Sequence, residues 1–218
     1  MRAGKQLMAP RFWSAIATMG VVALLPCSAP LFSRQLWAFN AGSFASLSHS
    51  TVSLSPSFLG RVPSLPPTWY PMSSVLADVT GDDVSEWVLA VWRPWRDWPI
   101  QHWSSVPSPI AGFHDAAGHS CHLILLDPRD GREIWAGSAL PVPLLAVAVG
   151  DVDGDGINEV VALEGSYATG RKGPATHVDV WSWSGFGFTL EWRSPLGTFH
   201  QLRLVDADRR GILDIAVR

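Results

Sequence analysis

Acidic residues are missing from the first third of this chain. All 19 Asp and Glu lie at or after Asp78, whereas the first 77 residues hold five basic side chains (Arg2, Lys5, Arg11, Arg34 and Arg61) and sum to +5. Residues 78–218 hold the other 11 basic residues and all 19 acids, so they sum to −8. A surface of that sign makes the C-terminal part a poor candidate for nucleic acid, because phosphates need a basic footprint. Cysteine is scarce as well: Cys27 and Cys121 alone make neither a disulfide framework nor a four-cysteine zinc site. Charged residues reach only 16% of the 218 positions, below the ~25% of average globular chains, which excludes a disordered charged tail. No Gly-x-Ser-x-Gly elbow, P-loop or dinucleotide fingerprint occurs, so catalysis has no support from motifs.

What the N-terminal third does contain reads as an address and a tether. Arg2, Lys5 and Arg11 precede an apolar run from Phe12 to Leu25 that Pro26 ends. A charged n-region followed by an h-region of this kind is a secretory signal. It is short of the ~20 apolar residues of a comfortable membrane span. Ala29 closes a small-residue cleavage site, but Pro30 disfavours the cut, and residues 29–32 prolong the apolar stretch. The segment 1–32 is therefore expected to be a signal peptide or an uncleaved signal anchor, with residues 12–32 in the membrane in the second case. Residues 43–74 hold ten Ser and five Pro. Pro removes ladder donors and Ser competes for backbone hydrogen bonds, so 33–73 is expected to be a Ser/Pro-rich linker. For 58–72 an irregular strand packed on the domain is the equal alternative.

Residues 74–218 hold a repeat. Its clearest copy is Asp151-Val152-Asp153-Gly154-Asp155-Gly156-Ile157-Asn158-Glu159, followed by Val160-Val161-Ala162-Leu163. Asp at positions 1, 3 and 5 with Gly at 6 is the front half of an EF-hand-like loop. Ca²⁺ takes 6–8 oxygens at ~2.3–2.6 Å, and alternate carboxylates of a tight loop converge on one centre. The carbonyl of Ile157 is a natural further donor. The loop lacks the Glu at position 12 that an EF-hand needs, supplies Glu159 at position 9 instead, and runs into a strand rather than a helix. An upstream copy aligns Asp78, Thr80, Asp82 and Glu86 with Asp151, Asp153, Asp155 and Glu159, with Asp83 in place of Gly156. A downstream copy keeps Asp206, Asp208, Gly211 and Asp214 but puts Arg210 at position 5, where a guanidinium repels Ca²⁺ or fills its place. Between the loops, residues 123–135 and 178–192 read as strand, turn, strand.

Each unit thus runs strand, acidic loop, strand, then a hairpin ending in Trp. These units resemble FG-GAP/VCBS-type repeats, the blades of integrin-α-like β-propellers, and Gly150 to Val161 matches that family's motif along its length. The resemblance implies an all-β fold over 74–218. It assigns structural Ca²⁺ to Asp151, Asp153, Asp155, the carbonyl of Ile157 and Glu159, and to Asp78, Thr80, Asp82 and Glu86 in the first copy. It also implies a non-enzymatic, exported protein, secreted or at the cell surface, that binds a protein or polysaccharide in adhesion or ligand capture. The alternative is a non-catalytic fragment of a larger extracellular propeller enzyme, such as a polysaccharide lyase or a quinoprotein-like protein. The loops recur after 73 and 55 residues, which gives about two to two and a half blades where propellers have about 4–8. A partial propeller, completed by missing blades or by a partner, is the expectation.

The longer first unit contains an insertion, residues 92–122, with Trp92, Trp95, Trp98 and Trp103, followed by His114, Asp115, His119, Cys121 and His122. The tryptophans read first as a cap on an open sheet edge and second as a sugar or protein contact. The His/Asp/Cys group has zinc-ligand chemistry without a recognisable zinc spacing, and reads first as a polar loop.

Overall fold

The computed structural model describes residues 35–40, 43–47, 64–97, 111–207 and 209–218. The expected signal or anchor segment 1–32 with Cys27, residues 33–34, 41–42 and 48–63 of the expected linker, Trp98, Trp103 and Asp208 lie outside the described residues. No helix among the described residues is long and apolar enough to cross a membrane.

The fold is all-β: three four-stranded antiparallel sheets. The first is a meander of β3 (Tyr70–Ala77), β4 (Glu86–Pro94), β5 (His119–Leu126) and β6 (Glu133–Ala136). The second repeats the pattern with β7 (Leu144–Gly150), β8 (Glu159–Glu164), β9 (His177–Trp183) and β10 (Phe188–Arg193). The third begins in the same way with β11 (Leu202–Val205) and β12 (Asp214–Val217). Its other two strands come from the opposite end of the described chain, β1 (Gln35–Asn40) and β2 (Ser43–Leu47), with β1 antiparallel to β12 from Gln35↔Val217 to Trp37↔Ile215. In each sheet an acidic loop joins the first strand to the second, at 78–85, 151–158 and 206–213.

The sequence of the second strands explains the layering. β8 reads Glu-Val-Val-Ala-Leu-Glu and is buried at all six positions, as a strand covered on both faces must be. Alternate side chains serve different cores. Val160 and Ala162 join Val88, Ala90, Trp92, Leu123 and Leu125 between the first and second sheets. Val161 and Leu163 join Val178, Val180, Phe199, Ile215 and Val217 between the second and third. The second sheet is therefore the middle layer, and β7 touches both β3 and β11. Ser73 Oγ donates to the Val147 carbonyl at 3.0 Å, tying β3 to β7. The opposite face of β4 and β5 buries Trp87, Leu89, Val91, Ile124 and Leu126 with Trp69.

The expected linker 33–73 needs correction at its N-terminal end, where Gln35–Asn40 and Ser43–Leu47 are strands; at the other end β3 starts at Tyr70, within the 58–72 stretch for which a packed strand is the equal alternative. The reason is that β11 and β12 alone leave one ladder of β12 open and a half-covered core. Trp37 fills that core at 5% exposure, edge-to-face on Trp192 at 5.7 Å and on Phe199 at 5.9 Å. Phe44 stacks on the same Trp192 at 5.0 Å. Serine content was outweighed by three well-spaced aromatics. The third unit is thus a full four-stranded sheet rather than the half unit that residues 201–218 suggest by themselves.

If the N-terminal hairpin completes the third sheet, Trp37→Ala removes a buried indole and is expected to destabilise the protein by about 3–5 kcal/mol. Urea unfolding measures this directly. A change under ~0.5 kcal/mol, the range of neutral surface substitutions, would show that residues 35–47 contribute nothing to the folded state.

Candidate metal centre

The three acidic loops share two positive-φ positions and one closing bond. The Asp at position 1 collects amides across the turn: Asp78 accepts from Thr80, Gly81 and Asp83, Asp151 from Gly154 and Gly156, and Asp206 from Arg210 and Gly211. The carboxylate at position 9 turns back to the amide at position 2. Glu86 holds Val79 N–H at 3.2 Å, Glu159 holds Val152 N–H at 2.9 Å, and Asp214 holds Ala207 N–H at 3.1 Å. Positions 4 and 6 have positive φ in every loop: Gly81 and Asp83, Gly154 and Gly156, Arg209 and Gly211. Glycine takes this backbone at no cost, whereas Asp83 (φ 65°) and Arg209 (φ 62°) do not.

Neighbouring loops are tied to one another at equivalent points. Asn158, at position 8 of the second loop, donates through its side-chain amide to the carbonyl of Asp78 at 2.7 Å. Leu213, at position 8 of the third, donates its backbone N–H to the carbonyl of Asp151 at 3.0 Å. Ile212 lies over Gly154, where a Cβ would come within 2.7 Å of Ile212 Cδ1. Asn158 lies between the ligand positions of the motif, and nothing in the spacing reveals this inter-loop bond.

Two of the loops gather carboxylates closely enough for one cation. In the first, ligand oxygens of Asp78, Asp82 and Glu86 lie within 4.8 Å of one another, and in the second those of Asp151, Asp153 and Glu159 do so. Thr80 stands beside the first trio, its Oγ1 3.5 Å from Glu86 Oε1. Asp155 lies outside the second trio and accepts the amide of Ile157 at 2.8 Å; Ile157 itself is exposed. In the third loop Arg210 reaches Asp214 with Nη2 to Oδ1 at 3.7 Å, so a cation is already supplied from within.

The electrostatics of the two trios follow from burial. Glu159 is 3% exposed; desolvation first, then Asp153, Asp155 and Asp151, push its carboxyl up to about 7. Burial and the neighbouring acids also raise Glu86 and Asp153. Asp78 goes the other way: burial raises it, but the amides of Gly81, Asp83, Thr80 and Asp82 together outweigh that and lower it. Hard oxygens converging on a point with no compensating cation, one of them a desolvated Glu, fit a hard divalent ion such as Ca²⁺.

The His/Asp/Cys group of the insertion is used otherwise. Asp115 Oδ1 caps a turn by accepting the amides of Ala117 and His119. His122 is buried, and burial followed by nearby Arg93 hold its pKa down at about 3. Burial pushes the Cys121 thiol up to about 12. Among the described residues only the two acidic trios bring three metal-ligating groups together.

No protein-family model matches the chain, and no curated protein matches it.

Because Glu159 is raised from 4.5 to about 7, the metal-free protein gains stability from its protonated form. That contribution is full below about pH 4.5 and is lost as pH rises through about 7. In EDTA, Glu159→Gln is expected to remove a pH-dependent term of order 1–3 kcal/mol across this window. Denaturant unfolding of both proteins at pH 5 and pH 8 checks it; parallel pH profiles would contradict the assigned shift.

Proposed function

We propose that this protein is an exported, non-enzymatic, calcium-binding β-propeller repeat protein that serves adhesion or ligand binding. The observation that carries the reading is the pair of carboxylate trios, Asp78/Asp82/Glu86 and Asp151/Asp153/Glu159, in loops that share two positive-φ positions. Support for blades comes from three four-stranded antiparallel sheets whose first strands adjoin around β7 and whose acidic loops fall at the same step of each sheet. In this reading the third blade is closed by strands from both chain ends, as β1 and β2 complete β11 and β12.

The ion would be structural. Asp151, Asp153, Asp155 and Glu159, with the carbonyl of Ile157, would hold it in the second loop; Asp78, Thr80, Asp82 and Glu86 would do so in the first. When bound, Ca²⁺ supplies the positive charge that lets these carboxylates sit together, which couples ion binding to folding. The residues do the rest: Asp78 and Asp151 shape the turns through their amide bonds, and Asn158 links one loop to the next. The third loop, with Arg210 against Asp214, would stay metal-free. Export rests on the basic n-region and apolar run of residues 1–32. The ligand class is a protein or a polysaccharide.

A thermal melt in EDTA and across a Ca²⁺ titration tests the metal reading. At about 100-fold excess over Kd one site adds ~2.7 kcal/mol, which raises the Tm by roughly 5–10 °C for a domain of this size. Asp153→Ala/Asp155→Ala is expected to cut the rise to what the first loop alone provides. A Tm that ignores Ca²⁺ up to millimolar concentrations would defeat the proposal.

A further inference from the structure

Beside the second acidic loop lies a cavity of about 470 Å³, within the ~300–1,000 Å³ range of small-molecule sites. Its walls come from three places. The loop presents Asp153, Asp155 and Glu159, and β10 presents Glu191 and Trp192. The β1–β2 hairpin presents Phe39 and Phe44. Glu191 and Trp192 are adjacent in sequence, so in a regular strand they would face opposite ways. A β-bulge prevents this: Leu190 pairs with Trp181 and Trp192 with Val180, leaving Glu191 as the extra residue. The bulge turns both side chains into the cavity.

The lining has one electrostatic sign. Four carboxylates face it and, among the described residues, no Lys, Arg or His does; the other lining residues with polar side-chain groups are Ser43, Ser182 and Trp192. The ring faces of Phe39, Phe44 and Trp192 carry the negative side of the aromatic quadrupole. Phe44 packs on Phe39 at 5.3 Å and on Trp192 at 5.0 Å, so the aromatic wall is held in place. Glu159, 3% exposed, spends Oε2 on Val152 N–H, while its Oε1 has no hydrogen-bond partner among the described residues. In the metal-free protein a phosphate or carboxylate ligand is repelled here. A cation with a hydrocarbon skin satisfies both walls at once, its charge against Glu191, the one lining carboxylate not assigned to the metal, and its alkyl groups against the rings.

We propose that this cavity is a binding site for an organic ammonium ion bearing alkyl groups. Glu191 is its counter-ion, and Phe44 and Trp192 are its aromatic wall. The site extends beyond the metal loop, since Glu191, Phe44 and Trp192 belong to other strands.

Isothermal titration of the full chain with choline, in EDTA at constant ionic strength, tests the site apart from the calcium reading. Saturable binding is expected, and the uncharged isostere 3,3-dimethylbutan-1-ol should bind at least roughly tenfold more weakly. Glu191→Gln, on an exposed strand, and Phe44→Leu should each weaken choline roughly tenfold. Phosphocholine should bind more weakly than choline because its phosphate meets the same carboxylates. Equal binding of choline and its isostere would overturn the proposal, as would unchanged affinity in Glu191→Gln with an unchanged Tm. The absence of saturable heat up to concentrations on the order of 10 mM would do the same. Tighter binding of phosphocholine would overturn a free cation in favour of a lipid headgroup.

Discussion

The structure depends on a short closed circuit repeated three times. The carboxylate at position 9 of each acidic loop reaches back to the amide at position 2, as Glu86 to Val79, Glu159 to Val152 and Asp214 to Ala207. That bond fixes where the second strand of each sheet begins, because position 9 is also the first residue of β4, β8 and β12. It also pins the residue at position 2 inward, and Val79 and Val152 are fully buried. With both ends of the loop held, the Asp at position 1 can gather the amides of the turn without help from distant parts of the chain. Register in each sheet therefore starts from the loop.

The same circuit concentrates charge. A desolvated Glu at its closing point sits within reach of other carboxylates, and the molecule meets that repulsion in different ways. In the third loop Arg210 stands 3.7 Å from Asp214. In the second, Glu159 is pushed towards the proton, a condition that a divalent ion would replace. The bonds from Asn158 to Asp78 and from Leu213 to Asp151 mean that relaxation in one loop is passed to its neighbour. Repeat arrays share stability in this nearest-neighbour manner.

Much of this was readable from residue order, and the exceptions have physical causes. The loops and the hairpins 123–135 and 178–192 were legible because each is encoded within about a dozen residues by turn chemistry and alternation. Residues 35–47 were not, since a Ser-rich segment has no local reason to be a strand; its reason is the open ladder of β12, nearly the whole chain away. Glu191 was missed as a cavity residue because only the register shift between Leu190 and Trp192 turns it inward, and a bulge leaves no composition signal. His122 and Cys121 had ligand chemistry in sequence, but burial on β5 commits them to the core.

The third sheet joins β1 to β12, strands separated by more than 170 residues. During synthesis the first and second sheets can assemble from neighbouring hairpins as they emerge, since all their pairings are between consecutive strands. β1 has to wait. Until β12 exists, Trp37 and its hairpin have no ladder to join, and closing so long a loop delays the contact further. The earliest of the described strands is thus among the last to find its place. Throughout that interval the face of β8 that carries Val161 and Leu163 is left without part of its final cover, which makes it the surface a chaperone or a sister chain would meet first.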